Sequence, residues 1–327
     1  MSDLNFGAPA PIVKGHALPV PISLGQRILA ARGTPQAVVK VLSYGHGTKG
    51  VTGSMKYISK GGELSLETES EDPIQGTQEQ AALVRTWSRD FGAHKNSRDS
   101  VHIAFSMPKG SDPEALRGAV RTVLNESFSG HEAVFAIHQD RPHPHAHVIV
   151  KMRNRKSGKQ LRLNRPEIYH LREVFAEAAR EEGVELAVSP RAARGVGRKG
   201  VSQAVYQLRR RGITPNVDKE AERSWARDML ERRWEEKPWE QAMAERNKRE
   251  REAYQKEAEE LRKTAELKSQ QESQRLLKDA QLLEQFAKRM PKAKSRRQEF
   301  MEKKWQEILK LRQFEIRRQN RGEEMER

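Results

Sequence analysis

One stretch constrains the fold of this chain more than any other: Phe135-Ala-Ile-His-Gln-Asp-Arg-Pro-His-Pro-His-Ala-His-Val-Ile-Val150. An apolar run leads to His138 and Asp140, the chain turns through Pro142 and Pro144, and a second apolar run begins at His145. Two antiparallel strands joined by that short loop set His138 across from His145. Along a strand, side chains two apart point the same way and lie about 6.6 Å from each other, so His145 and His147 converge on one face. Five of the ten histidines fall between His131 and His147, a local density well above background.

Three neutral imidazoles on a sheet surface leave coordination positions open on a divalent ion, as catalytic rather than structural sites do, and phosphate oxygens suit those positions. An isolated His-x-His in a strand is more often a pair of solvent-facing edge residues. Three neighbouring features count against that reading here: His138 with Asp140 upstream, the apolar flanks, and the basic segment that follows. Imidazole suits Mn²⁺ or Zn²⁺ better than Mg²⁺ on softness grounds, whereas cellular abundance favours Mg²⁺, so the expected cofactor is Mg²⁺ or Mn²⁺, with Zn²⁺ admissible. His143, between two prolines, reads equally well as a plain loop residue. Two roles stay open for Asp140: orienting a ligand histidine, or accepting a nucleophile's proton.

Phosphoryl transfer on DNA without net hydrolysis needs a side-chain oxygen that forms a reversible phosphodiester, and tyrosine is suited to it. Of the five tyrosines, Tyr57 stands out through its setting, Gly53-Ser-Met-Lys-Tyr-Ile-Ser-Lys-Gly-Gly62. On a helix, Val51, Met55 and Ile58 form an i, i+4, i+7 stripe and Tyr57 falls roughly 100° or more from it, so core packing does not require this tyrosine. Lys56 and Lys60 flank it. Either ammonium can hold a phosphate or favour the phenolate, and a phenol of pKa about 10 needs such help at neutral pH. Taken alone, a tyrosine near a Gly-Gly helix stop is a surface residue. Tyr44 is the rival, before Gly45-His46-Gly47, where the glycines suit a turn. Ser106-Met-Pro-Lys-Gly110 presents a hydroxyl and a lysine at a strand end, although serine before a turn is commonly turn chemistry alone.

The 327 residues carry a formal net charge of +16, which favours a polyanionic partner, nucleic acid before an anionic membrane surface. With no cysteine, no Arg-flanked apolar N-terminal run and no apolar stretch near the ~20 residues of a bilayer span, the chain is neither a disulfide scaffold nor a membrane span, and a reducing cytoplasm is expected. Residues 1–35, with Pro9, Pro11, Pro19 and Pro21, read as a flexible leader. Residues 36–190 alternate short apolar runs with helical stripes, the pattern of an α/β or α+β domain. Strands are expected at 37–42, 101–106, 133–138 and 145–152. Helices are expected around Leu83, Val84, Trp87 and Phe91, around Leu116, Val120, Val123 and Leu124, and around Ile168, Leu171, Phe175 and Ala178, the last stopping near Gly183. Residues 191–217 read as a mobile basic connector; over 151–217 there are 16 Lys and Arg against 6 Asp and Glu. Residues 218–327 read as a charged, mostly helical tail without a core of its own, broken at Pro238 and Pro291, because no a/d heptad persists.

Three blocks, in this order and spacing, resemble the relaxase/mobilisation endonuclease family of conjugative plasmids, most closely the T-DNA border-nicking, VirD-type members of the HUH endonuclease superfamily. They are Met55-Lys-Tyr-Ile-Ser-Lys-Gly61, His102-Ile-Ala-Phe-Ser-Met-Pro-Lys-Gly-Ser-Asp112 and His138-Gln-Asp-Arg-Pro-His-Pro-His-Ala-His147. The resemblance covers about residues 36–195, and the third block is its most specific part. It implies an HUH relaxase fold, a central antiparallel sheet flanked by helices, followed here by a charged helical C-terminal extension. It further implies that Tyr57 nicks one strand at a plasmid origin of transfer through a 5′-phosphotyrosine link and can rejoin it. His138, His145 and His147 are then the metal ligands, and Ser106 touches DNA near the nick. The implied partners are single-stranded or supercoiled plasmid DNA, relaxosome accessory proteins and a type IV secretion coupling protein, with no membrane insertion. The family acts in the bacterial cytoplasm and is exported with the transferred DNA into the recipient cell. About 50 residues precede Tyr57, more than such enzymes commonly have, and a single tyrosine in that helix favours the one-tyrosine mobilisation relaxases. A rolling-circle replication initiator of the same superfamily shares the site and differs in where it nicks; a non-catalytic DNA-binding transfer accessory protein would not need the Tyr57 hydroxyl.

Overall fold

The structure, a computed structural model, describes residues 22–94, 96–196, 201–231 and 235–325, with side chains described as far as residue 313. It separates into a unit of Arg32–Val188 and a helical unit made of Met1–Ala31 with Ser189–Arg327.

The first described element is helix α1 (Leu24–Arg32), which corrects the reading of residues 1–35 as an unstructured leader for the part that is described. Its segment contains no proline, and Ile28 and Ala31 pack against apolar residues of the helical unit.

In the Arg32–Val188 unit, strands β1 (Val38–Gly45), β2 (Leu66–Thr68), β3 (Pro73–Ile74), β4 (Ser100–Ser106), β5 (Ala133–His138) and β6 (His145–Lys151) form one sheet in the order β1-β4-β6-β5-β2-β3. Every strand pair is antiparallel. The expected antiparallel sheet flanked by helices is therefore present. β1 runs further than 37–42 because a bulge between Val41 and Ser43 restores its pairing with β4. The two short strands β2 and β3 were not expected; neither is long enough to show a period.

Alternation along the strands sorts residues between two helical layers. Val101, Ile103, Phe105, Phe135, Ala146, Val148 and Val150 share one face. Helices α4 (Pro113–Ser127) and α5 (Arg165–Glu181) close over it with Leu116, Val120, Val123, Leu171 and Phe175. Asp112 caps α4 by accepting from the Glu114 N–H at 2.9 Å, and Gly183 follows α5 with φ 80, a left-handed turn suited to glycine. On the opposite face, Val134, Ala136 and Ile149 lie under α2 (Gly47–Ile58) and α3 (Gly76–Ser88), which contribute Val51, Met55, Ile58, Val84 and Trp87. α3 ends at Ser88, so Phe91 lies beyond the helix expected to carry it, yet it still packs against the same cluster.

The helical unit contains α6 (Gln203–Arg210), α7 (Asn216–Leu230), α8 (Pro238–Ala265), α9 (Gln270–Arg289) and α10 (Arg296–Met325). Pro238 opens α8 and Pro291 follows α9, as expected of a residue that cannot continue a helix. Part of the supposed connector is ordered: Ala192–Arg194 forms a 3₁₀ turn and α6 follows, while residues 197–200 lie outside the described set. The expectation that the tail lacks a core is overturned. Tyr254, Ala258 and Leu261 of α8 are buried with Ala280, Leu283 and Ala287 of α9. Their spacing is helical, but four alanines in the stripe, counting Ala265, let the helices meet without the large residues that mark a heptad. Arg27 of α1 joins this core, pairing with Glu250 at 3.1 Å and Glu257 at 3.0 Å over the Tyr254 ring. Among the described residues no helix is long and apolar enough to cross a membrane.

Candidate metal centre and nucleophile

The hairpin β5–β6 pairs His138 with His145 and Ala136 with His147, which puts all three imidazoles on the face covered by α2 and α3. Ring centroids lie 5.3 Å apart for His138 and His145, 4.7 Å for His138 and His147, and 5.1 Å for His145 and His147. One nitrogen from each ring comes within 4.8 Å of the others.

Which nitrogens face inward follows from the partners of the remaining ones. His138 Nε2 lies 2.7 Å from the Ile58 carbonyl. A carbonyl only accepts, so Nε2 carries the proton and donates, leaving the Nδ1 lone pair free. His145 Nδ1 donates in the same way to the His143 carbonyl at 3.2 Å, which frees Nε2. His147 Nδ1 meets His102 Nε2 at 2.8 Å, and with the proton of that bond on His147 its Nε2 lone pair is free as well. Each outer nitrogen thus has a hydrogen-bond partner, a carbonyl for His138 and His145 and a second imidazole for His147, the arrangement that orients metal-binding histidines.

Burial favours the neutral form of His102, His145 and His147. Desolvation, with the neighbouring His102 next in weight, holds His147 down at about 3. Desolvation and then His138 hold His102 at about 4. His145 is lowered chiefly by desolvation, against the raising effect of its bond to His143. Neutral imidazoles with converging lone pairs fit a divalent cation, and Asp140 beside them is the one carboxylate in contact with the triad among the described residues.

Helix α2 brings Tyr57 to this triad, and both of its ends are tied down. At its start, Asp99 accepts from the Gly47 N–H at 2.6 Å and the Gly92 N–H at 2.9 Å, while a Cβ at Gly45 would meet Ser100 Oγ at 2.3 Å. At its end, Ile58 supplies the carbonyl that His138 holds. Val51, Met55 and Ile58 are buried against the sheet, as the stripe requires, and Tyr57 is 61% exposed. Its ring stands edge-on to His147 at 5.5 Å and to His102 at 5.9 Å. Among the described residues its hydroxyl has no hydrogen-bond partner.

The other candidates are distributed unevenly. Lys60, in the left-handed region at φ 50, lies 3.7 Å from Asp140, whose other oxygen is 3.8 Å from His145 Nε2. Partial desolvation pushes the Asp140 carboxyl up, but Lys60 and then His145 outweigh it and leave it lowered. Lys56 is exposed and makes no ion pair among the described residues. Ser106 Oγ donates to the Pro144 carbonyl at 3.3 Å, fixing the loop just before His145. His143 is exposed and joins the site through its carbonyl. Tyr44 packs with the α4–α5 layer, under the Arg98 guanidinium at 4.3 Å, on the face opposite Tyr57. His102 was not singled out from the sequence. Its signal lay in the strand it shares with Ser106: residues 102, 104 and 106 point to one side.

The family description "Relaxase: MobA/VirD2-like, nuclease domain" matches residues 57–184. Three curated relatives are similar over 196 residues, 53% of this chain, and all carry the name T-DNA border endonuclease VirD2. The protein of Rhizobium radiobacter is 26% identical with 46% of its length covered, that of Agrobacterium fabrum 28% with 43%, and that of Rhizobium rhizogenes 27% with 44%. The match spans less than half the length of each relative.

Proposed function

We propose, from the premise that this chain belongs to the MobA/VirD2-like relaxase family through residues 57–184, that it nicks one strand of DNA at an origin of plasmid transfer with Tyr57 as nucleophile. The observation that carries this reading is an exposed Tyr57 ring seated 5.5 Å from His147, beside three imidazoles with converging free nitrogens. The Tyr57 phenol oxygen attacks phosphorus in line, and the new ester forms as the bond to the 3′ oxygen breaks. One proton leaves the phenol and one is taken up by the departing 3′ hydroxyl. No water is consumed, so attack by a 3′ hydroxyl on the 5′-phosphotyrosine runs the step backwards and rejoins the strand.

His138, His145 and His147 would hold a divalent metal ion, which supplies positive charge for the phosphate oxygens. Lys56 and Lys60, on either side of Tyr57, suit the flanking phosphates. The contacts of Asp140 to Lys60 and His145 support a positioning role for it rather than that of proton acceptor. A contact from Ser106 to DNA near the nick requires its hydroxyl to exchange the Pro144 carbonyl for a phosphate oxygen. The relatives' name supports DNA as substrate. Relaxosome accessory proteins, a type IV secretion coupling protein and export with the DNA belong to the same proposal.

The test is a labelled origin oligonucleotide run through a denaturing gel. Wild type should carry the label as a covalent adduct, Tyr57→Phe should bind the DNA with similar affinity and form none, and Tyr44→Phe should still form one. Wild-type nicking with neither adduct nor strand transfer would make the histidine site that of an ordinary hydrolytic nuclease.

A further inference from the structure

We infer that the helical unit carries a second binding site, for a segment of single-stranded nucleic acid, in the groove between α8 and α10. The groove encloses ≈ 550 Å³, and its lining is of two kinds. On the α10 side stands Trp305, 44% exposed. The same ring also borders Trp225, Met229 and Ile308, so apolar packing steadies it while it lines the groove.

The lining also includes Lys248 and Arg251 of α8 and Lys292, which precedes α10. Arg251 is half-buried, yet its guanidinium donates only to neutral acceptors, Asn247 Oδ1 at 3.2 Å and the Met290 carbonyl at 3.1 Å. Lys248 and Lys292 are exposed and have no carboxylate partner among the described residues. Lys294 in the same groove pairs with Glu302, and further along α8 Lys256, Arg262 and Lys263 each pair with a glutamate. Three cations without an ion-paired carboxylate among the described residues therefore line the same recess as a partly exposed aromatic ring. Among the described residues lining the groove, Glu236 is the only acidic one besides the paired Glu302.

A single strand satisfies ring and cations at once. A base stacks on the indole and its flanking phosphates neutralise the cations, the pairing found wherever unpaired nucleic acid is tracked. Duplex DNA keeps its base faces stacked and has nothing to offer Trp305. An anionic bilayer engages protruding amphipathic faces rather than a recess. The site is independent of Tyr57 and the histidines.

The experiment uses the full chain and an oligothymidylate without an origin sequence. With iodouracil substituted for thymine, irradiation should attach the strand to the peptide containing Trp305. Trp305→Ala should abolish that adduct and weaken binding roughly 5- to 150-fold, while Trp305→Phe, which keeps a stacking face, should restore most of the affinity. The double variant Lys248→Gln/Lys292→Gln should lower the slope of log affinity against log salt by about 1.4, two contacts at about 0.7 each. An adduct that forms elsewhere and spares Trp305, or a salt slope unchanged in the double variant, overturns the inference. So does Trp305-dependent binding to phosphatidylserine vesicles with no effect on the oligonucleotide, which would make the groove a membrane contact.

Discussion

Replacing His102 with phenylalanine isolates the one ligand partner that is a side chain. The His102–His147 bond is 2.8 Å long and both residues are 6% exposed, so no solvent stands ready to replace the acceptor. Phenylalanine keeps the ring's bulk and removes only the nitrogen that holds the His147 Nδ1 proton. His147 is then free to carry its proton on Nε2, the nitrogen that would face the proposed metal ion. Loss of an outer partner of this kind costs about 10- to 100-fold in metal affinity. At an ion concentration about 100 times the wild-type Kd, binding stabilises the native state by about 2.7 kcal/mol; with affinity lowered by that factor the increment falls to about 0.4–1.4 kcal/mol. Urea unfolding in Mn²⁺ and in chelator measures the increment directly, and the chelator arm separates it from any change in apo stability. His102→Gln, whose amide oxygen can accept the same proton, should recover most of it. A phenylalanine variant with the full wild-type increment would refute the tautomer argument.

Two further predictions concern stability. In chelator, the protein should lose stability as pH falls from about 6.5, where the unfolded histidines begin to take up protons, because native His102 and His147 resist protonation until about 4 and about 3. Their folded values are depressed, so the contribution is complete above the unfolded value and lost on acidification; His102 alone accounts for about 3 kcal/mol, seen as a urea midpoint that drops between pH 7 and pH 4. In the helical unit, Arg297 lies between Asp228 at 2.7 Å and Glu240 at 2.6 Å, all three buried. Arg297→Met should cost about 3–5 kcal/mol by stranding Glu240 and leaving Asp228 to Lys237 alone at 3.0 Å, and adding Glu240→Gln should return most of it, both read from thermal melts.

Much of the Arg32–Val188 unit was legible because its elements repeat simple periods. Residues 133–138 and 145–151 stand out as apolar runs, and the stripe Val51, Met55, Ile58 set Tyr57 outside the core before any coordinates were needed. The helical unit hid its core for a physical reason. Hydrophobic patterning weighs large side chains, whereas α8 and α9 meet in part through Ala258, Ala280 and Ala287, each contributing little apolar area but allowing close approach. α1 was hidden differently. Its cover, Glu250, Tyr254 and Glu257, lies more than 200 positions away in the chain, and no local signal announces so distant a partner.

The site itself divides along the same line between local and non-local information. His145 and His147 share a face because they are two residues apart, and His138 joins them because one short loop makes the hairpin; both facts are local. His102 requires knowing that β4 pairs with β6, and in the register that sets Ala104 against His147. Only then does a histidine two positions along β4 fall on the same face, close enough to hold the Nδ1 proton. The last piece leaves no trace in residue type at all. The group that fixes His138 is the backbone carbonyl of Ile58, and any residue there would present the same oxygen. What the sequence can specify is the burial of the Ile58 side chain, which seats the end of α2 on the sheet. That seating delivers the carbonyl to His138 and, one residue earlier, the Tyr57 ring to His147, so the proposed ligand set and the proposed nucleophile are positioned by the same apolar anchor.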